Sequence, residues 1–236
     1  MTAPSPFPDI SSNLSSVRAR IEEAARAVGR DPADVTLVAV SKFQPVEKLR
    51  QALAAGQRVF GENRVQEAKS KWADLKAEYP DIELHLIGPL QTNKVKDAVA
   101  LFDVIQTVDR PKLAEALVAE CAKQGRCPRL MLEVNTGEEL QKAGIAPREV
   151  PAFLESCVRN HGLAIEGMMC IPPAEDEPSP HFALLADMVR RAGLHSISMG
   201  MSDDFELAVR LGATHVRVGT AIFGERPSRT EEVLED

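Results

Sequence analysis

Apolar positions along this chain follow two rhythms that take turns. Short, β-branched runs read as buried strands at 35–42, 58–63, 83–89, 103–108, 128–135, 163–171, 195–201 and 215–223. Between them apolar residues recur at helical spacing, most clearly at 45–56, 64–79, 92–101, 111–125, 148–162, 181–193 and 203–212. An earlier helical stretch, 13–29, sets Leu14, Val17, Ile21, Ala24 and Ala25 on one face and stops at Gly29. Glycines also close several later helices, as Gly125 and Gly193 do, supplying the left-handed residue that helix ends favour. Eight strands alternating with helices predict an α/β fold, a single (β/α)8 TIM barrel, with the first helix as an addition. An open doubly wound sheet is the structural alternative, though it usually needs fewer strands. The expected organisation is a disordered segment at 1–12 followed by one domain over 13–236.

Bulk properties narrow the function classes. The 236 residues are 44% hydrophobic, 27% charged and 4% aromatic, with a net charge of -7. That charge gives no general attraction to nucleic acid or to an anionic membrane, so an anionic ligand needs a locally built site. The start is rich in Pro and Ser and lacks the basic and apolar regions of a secretion signal, and no run of about 18 apolar residues is present to span a membrane. The expectation is a cytoplasmic protein with no nucleic-acid or membrane partner, and a monomer. Cys121, Cys127, Cys157 and Cys170 show no C-x-x-C spacing and read as free buried thiols, while the five histidines are dispersed. No metal site is expected.

The candidate chemistry lies at the carboxyl ends of the strands, where such folds place their sites. Lys42 ends the first run, and period-two alternation puts it on the side of Val38 and Val40, aiming its ammonium inward. Desolvation there favours the neutral amine, which can attack an aldehyde and form a Schiff base; a lysine that reaches out to solvent is the structural alternative. Asn63, His85, Thr107, Asn135, Ser198, Ser202, Gly219 and Thr220 also fall at or just past strand ends and are expected to meet in one mouth. The turn Met199-Gly200-Met201-Ser202 and the segment Gly219-Thr220 follow the seventh and eighth strands, where barrels of this kind recurrently bind phosphate. Arg217 is a charge within a strand that otherwise reads as buried, so it needs a partner: a structural ion pair or a donated bond to a ligand. The acidic stretch Glu175, Asp176 and Glu177 reads as a solvated loop after the sixth strand, with gating of the mouth as its functional alternative.

The segments Val38-Ala39-Val40-Ser41-Lys42, Phe60-Gly61-Glu62-Asn63, His85 through Lys94, Ser198 through Ser202, and Val216 through Gly224 together carry a resemblance, in this order, to the YggS/PROSC family of pyridoxal 5'-phosphate (PLP) homeostasis proteins. The likeness runs from about Val35 to Gly224. It implies a barrel of the alanine racemase N-terminal type and PLP as cofactor. It further implies that Lys42 holds PLP as a Schiff base, Asn63 lies beside the ring, Arg217 faces the pyridine nitrogen, and Ser202, Gly219 and Thr220 bind the phosphate. Similar sequences often carry an aromatic residue shortly after the Ile-Phe-Gly segment, where this chain has Glu225-Arg226-Pro227.

A racemase of this general type uses a second base, a tyrosine from a C-terminal domain. The chain ends shortly after the eighth strand, and its single tyrosine, Tyr79, closes the helix before the third strand and is expected on the opposite rim. The expected function is therefore a PLP carrier in intracellular PLP homeostasis, with no catalytic residues and with apo PLP-dependent enzymes as candidate recipients. The rivals are an amino-acid racemase using another base and a Schiff-base aldolase acting on a phosphorylated sugar.

Overall fold

The computed structural model describes residues 9–225. Eight parallel strands close on themselves in chain order: β1 Thr36–Val40, β2 Val59–Glu62, β3 Glu83–Leu86, β4 Val104–Val108, β5 Arg129–Val134, β6 Ile165–Cys170, β7 Ser196–Ser198 and β8 His215–Val218. The helices are α1 Ile10–Arg26, α2 Val46–Ala54, α3 Val65–Glu78, α4 Val95–Leu101, α5 Pro111–Gln124, α6 Val150–Glu155, α7 Pro178–Arg191, α8 Phe205–Arg210 and α9 Thr220–Phe223. This is the (β/α)8 barrel that the alternation predicts.

Several boundaries differ from the sequence reading. The first helix starts at Ile10, not at residue 13, because Asp9 caps it by accepting from Ser12 N and Ile10 is buried. The rest of the expected disordered segment, residues 1–8, lies outside the described residues, as does the chain from Arg226 onward. The first strand ends at Val40, so Lys42 follows it in a turn. The eighth run, read as strand through Phe223, is β8 followed by the short helix α9, since apolar residues at Ile222 and Phe223 bury equally well on one helical turn. Of the four thiols, Cys157 and Cys170 are buried, but Cys127 is exposed and Cys121 half-buried; all four are free.

The apolar core is a shell outside the sheet. Leu37 and Ala39 of β1, Phe60 of β2, Leu84 and Leu86 of β3, and Leu130 and Leu132 of β5 point into it, where they meet Leu49, Trp72, Leu117 and Phe182 from the helices. Side chains of the opposite parity fill the tube. Helix α9 is too short to complete the outer ring, and α1 packs against α8, α9 and α2 in its place. Asn13 donates from Nδ2 to the Ile222 carbonyl at 2.9 Å, and Arg20 pairs with Glu206 at 2.5 Å while lying over the Phe205 ring. The added helix is thus part of the barrel wall.

Barrel closure is tight where β6 meets β7. Gly167 pairs with Ser196, and a Cβ at Gly167 would stand 2.0 Å from the Ser196 carbonyl oxygen. Gly167→Ala is expected to lose about 3 kcal/mol of stability, read from urea unfolding, since backbone must move to admit the methyl group. An unchanged midpoint would show that β7 is not held against β6 in this way.

Candidate functional site

The six candidate residues leave the barrel on four contiguous strands. In the pairing of β8 with β1, Val218 lies opposite Ala39; in that of β1 with β2, Val40 lies opposite Gly61. Gly219-Thr220, Lys42 and Asn63 therefore emerge side by side. The loop after β7 joins them because Arg217 N donates to the Gly200 carbonyl at 3.0 Å, bringing Met201 and Ser202 next to the end of β8. Gly200 is required there: its φ is +88°, and a Cβ would meet the Ala208 methyl at 2.5 Å. Lys42, Asn63, Ser202 and Gly219 are half-buried, Thr220 is exposed, and Arg217 is buried.

The turn that carries Lys42 is clamped from outside the barrel. Glu62, fully buried at the end of β2, receives on Oε1 the Ser41 hydroxyl at 2.7 Å, the Trp72 indole N–H at 2.9 Å and the Lys71 ammonium at 2.8 Å. Burial pushes the Glu62 carboxyl up, and the Lys71 charge opposes it first, followed by the donated bonds. Lys71 also donates to the Ser41 carbonyl at 2.8 Å, and Glu67 takes the Phe43 N–H at 2.5 Å. Phe43 has a φ of 61°, an uncommon conformation for an aromatic residue that this N–H bond helps to hold. Residues on both sides of Lys42 are thereby fixed.

A second buried lysine closes the other flank. Lys48 of α2 donates to Gln44 Oε1 at 2.9 Å and to the Phe223 carbonyl at 2.7 Å, tying the loop after Lys42 to the end of α9. Its pKa is lowered by burial. Sequence reasoning passed over Lys48, Glu62 and Lys71. The available signal was position: Lys48 falls on the face of α2 that also carries Leu49, Ala52 and Leu53.

Arg217 points into the tube. Its Nη1 donates to Ser198 Oγ at 2.7 Å and its Nη2 to the Cys170 carbonyl at 2.8 Å. Burial lowers its pKa, opposed by Cys170, Glu133 and Asp204. Glu133, on β5, is buried with no hydrogen-bond partner on Oε2, and its pKa is raised to about 7 by burial first and by the Asp109 charge second, with Arg217 acting against them.

Other residues expected at the mouth do different work. His85 and Ser198 are wholly buried inside the barrel, because alternation along a strand gives the face but not the depth. Thr107 donates to the Gly88 carbonyl at 3.0 Å. Asn135 folds its own loop, donating to the Glu139 carbonyl at 2.8 Å and accepting from Glu139 N. Gly88 presses on Asn63, whose carbonyl oxygen would stand 2.4 Å from a Cβ at that position. In the acidic stretch, Glu177 caps α7 by accepting from Ser179 N, and Asp176 lies 3.4 Å from His181 Nε2. Tyr79 ends α3 with Arg58 over its ring, near the amino ends of β2 and β3, which is the rim the sequence predicts. Among the described residues no group of His, Cys, Asp and Glu could hold a metal ion, and no helix is long and apolar enough to cross a membrane.

This arrangement fits a phosphorylated aldehyde. Lys42, half-buried, stands beside the Gly219-Thr220 segment that opens α9, and the donor-only guanidinium of Arg217 is buried two residues before it on β8. The family described as alanine racemase, N-terminal domain, matches residues 12–227. The pyridoxal phosphate homeostasis protein of Pseudomonas aeruginosa is 45% identical over 223 residues, covering 92% of this chain and 96% of its own. The structure of PipY from Synechococcus elongatus PCC7942 with PLP bound superposes with a TM-score of 0.78 at 40% identity, covering 91% of this chain and 100% of its own. An alanine racemase of Clostridium difficile 630 shares the fold alone, with a TM-score of 0.70 at 16% identity over 97% of this chain and 61% of its own.

Glu133 makes stability depend on pH in a defined sense. Its folded pKa, about 7, lies above the ordinary value of 4.5, so its contribution is fully present below pH 4.5 and is lost as pH rises through 7. The difference corresponds to a loss on the order of 3 kcal/mol. Urea unfolding at a series of pH values is expected to show wild-type stability falling across that window relative to Glu133→Gln. Parallel profiles would mean that Glu133 titrates normally.

Proposed function

The chain belongs to the alanine racemase N-terminal domain family and, within it, to the pyridoxal phosphate homeostasis proteins, and from that membership we propose that it binds PLP for storage or delivery without turning over amino acids. The observation that carries this reading is the clamped turn at Lys42 beside the Gly219-Thr220 helix start, above a buried Arg217. When bound, PLP supplies an aldehyde open to a primary amine and a ring able to take up electrons.

In this reading Lys42 offers the amine, held in place by the bonds to Ser41 and Phe43 on either side of it. Ser202, Thr220 and the backbone at Gly219 hold the phosphate, and Asn63 borders the ring. Arg217 faces the pyridine nitrogen. A guanidinium only donates and stays protonated, so it does not act as the acid that would make the ring a strong electron sink. Tyr79, capping α3 beneath Arg58, sits too low to serve as a second base. Apo PLP-dependent enzymes would be the recipients.

Glu133 is the observation that favours the racemase alternative, because a buried carboxyl with a pKa raised to about 7 is suited to proton transfer near neutral pH. The two readings part on turnover.

Borohydride reduction of the PLP-loaded protein followed by peptide mapping is expected to place the adduct on Lys42; a dominant adduct on another lysine, such as Lys48 or Lys71, would remove the assignment. For turnover, the loaded protein is incubated with a panel of chiral amino acids in deuterated solvent, and in parallel with an apo PLP enzyme. Transfer to the apoenzyme with negligible change of configuration is expected. Sustained racemisation, abolished by Lys42→Ala and by Glu133→Gln, would overturn the carrier reading in favour of the racemase.

A further inference from the structure

We propose that Ser198, Gln106 and His85 are positioning residues for Arg217, forming a one-way line of hydrogen bonds down the barrel interior that fixes the plane of its guanidinium. The proposal rests on the reading that Arg217 faces the ring of bound PLP. The line begins with Arg217 Nη1 donating to Ser198 Oγ at 2.7 Å. The Ser198 hydroxyl gives its own proton to Gln106 Oε1 at 2.6 Å. Strands β4 and β7 are not neighbours, so this bond crosses the tube. Gln106 Nε2 lies 2.8 Å from His85 Nδ1, and His85 Nε2 lies 2.6 Å from Glu83 Oε1. Glu83, at the amino end of β3, also takes Arg129 Nη2 at 2.6 Å.

The direction of every bond follows from the two ends. An arginine can only donate and a carboxylate can only accept, whereas hydroxyl, amide and imidazole can each do both. With the source at Arg217 and the sink at Glu83, one assignment satisfies all members. The amide oxygen of Gln106 faces β7, its NH2 faces His85, Nδ1 of His85 is bare and Nε2 carries the proton. Burial lowers the His85 pKa, which favours the neutral ring that the assignment requires, and the bond from His85 together with the Arg129 charge holds the Glu83 carboxyl below its ordinary value. The groups facing His85 are Glu83 on its own strand, Arg129, Asp103 and the His215 ring, whose centroid is 5.8 Å away.

The consequence for the site is preorganisation. With Nη1 held by Ser198 and Nη2 by the Cys170 carbonyl, the guanidinium is pinned at two corners and cannot swing, and its donors meet the ring without first being ordered. Breaking the line would leave Arg217 charged and held at one corner only, able to turn about its bond to the Cys170 carbonyl.

The test has one arm that needs no cofactor and one that does. In the cofactor-free wild-type protein, nitrogen-15 NMR at neutral pH is expected to find His85 protonated at Nε2 and bare at Nδ1. A Gln106→Glu carboxylate can only accept, so in that variant His85 is expected to gain a second proton at Nδ1. In the loaded protein, Ser198→Ala and Gln106→Leu are each expected to shift the absorption maximum of bound PLP and weaken its binding about tenfold. Arg217→Met serves as the control. A His85 that carries its proton on Nδ1 in the wild type overturns the proposal even if no variant folds. So do Ser198→Ala and Gln106→Leu spectra and affinities equal to wild type while Arg217→Met changes both. If Arg217→Met changes neither, the reading that Arg217 faces the ring is overturned and the proposal with it, whatever the tautomer of His85.

Discussion

A single buried carboxylate oxygen, Glu62 Oε1, holds the mouth of this barrel together. It joins three elements at one point: the end of β1 through Ser41, its own strand β2, and α3 through Lys71 and Trp72. A carboxylate removed from water is tolerable only when it is paired and hydrogen-bonded, so these three donors are tied to it strongly, and loss of any one leaves the others on a poorly satisfied charge. Lysine side chains are long and rotamer-rich. Lys42 can therefore be placed with accuracy only if its backbone is, and the cluster supplies that by gripping Ser41 through its hydroxyl and carbonyl and Phe43 through its N–H. The left-handed backbone at Phe43 costs on the order of 1–3 kcal/mol, which the cluster offsets.

Strand parity sorts the buried side chains into two layers. Strand residues of one parity enter the shell between sheet and helices, which carries Trp72, Phe102, Phe182 and Phe205 and supplies most of the burial. Residues of the other parity fill the tube, where Val38, Met131 and Met169 are interspersed with His85, Gln106, Ser198 and Arg217. The line from Arg217 through Ser198 and Gln106 to His85 is tolerated there because each member satisfies the next, whereas Glu133 keeps an unpartnered Oε2.

The alternation of periods was enough to read the barrel, and the strand-end rule was enough to bring Lys42, Asn63, Ser202, Gly219 and Thr220 forward as candidates that the fold sets side by side, because both depend on local pattern. What stayed hidden depends on three-dimensional register. His85 and Ser198 were read as mouth residues, yet the stagger between neighbouring strands decides depth, and no local pattern encodes it. Gln106 drew no notice within Asp103-Val104-Ile105-Gln106-Thr107, since an amide in an apolar strand has meaning only once its partners on β3 and β7 are known. Lys48 and Lys71 drew no notice for the same reason, since Phe223, Ser41 and Glu62, which accept from them, lie on other elements. The end of β8 was misread as strand because Ala221-Ile222-Phe223 is apolar throughout, and a run so short carries no period.

Arg217 left two readings open in the sequence, a structural ion pair or a donor to a ligand, and its surroundings argue against the first. Both outer nitrogens go to neutral acceptors, a hydroxyl and a carbonyl, so its positive charge is oriented without being cancelled. Of the two acids that act on it, Glu133 has its pKa raised to about 7 by burial and by Asp109, so below neutral pH it is mostly protonated and leaves that charge only partly compensated, by Asp204. Burying an unneutralised guanidinium costs stability, and a fold selected for stability alone would fill the position with an apolar side chain. The cost is explained if the charge is kept for something that arrives from outside. As pH rises through 7, Glu133 ionises and begins to neutralise Arg217, so the positive field inside the tube is strongest on the acid side of neutrality and weakens above it.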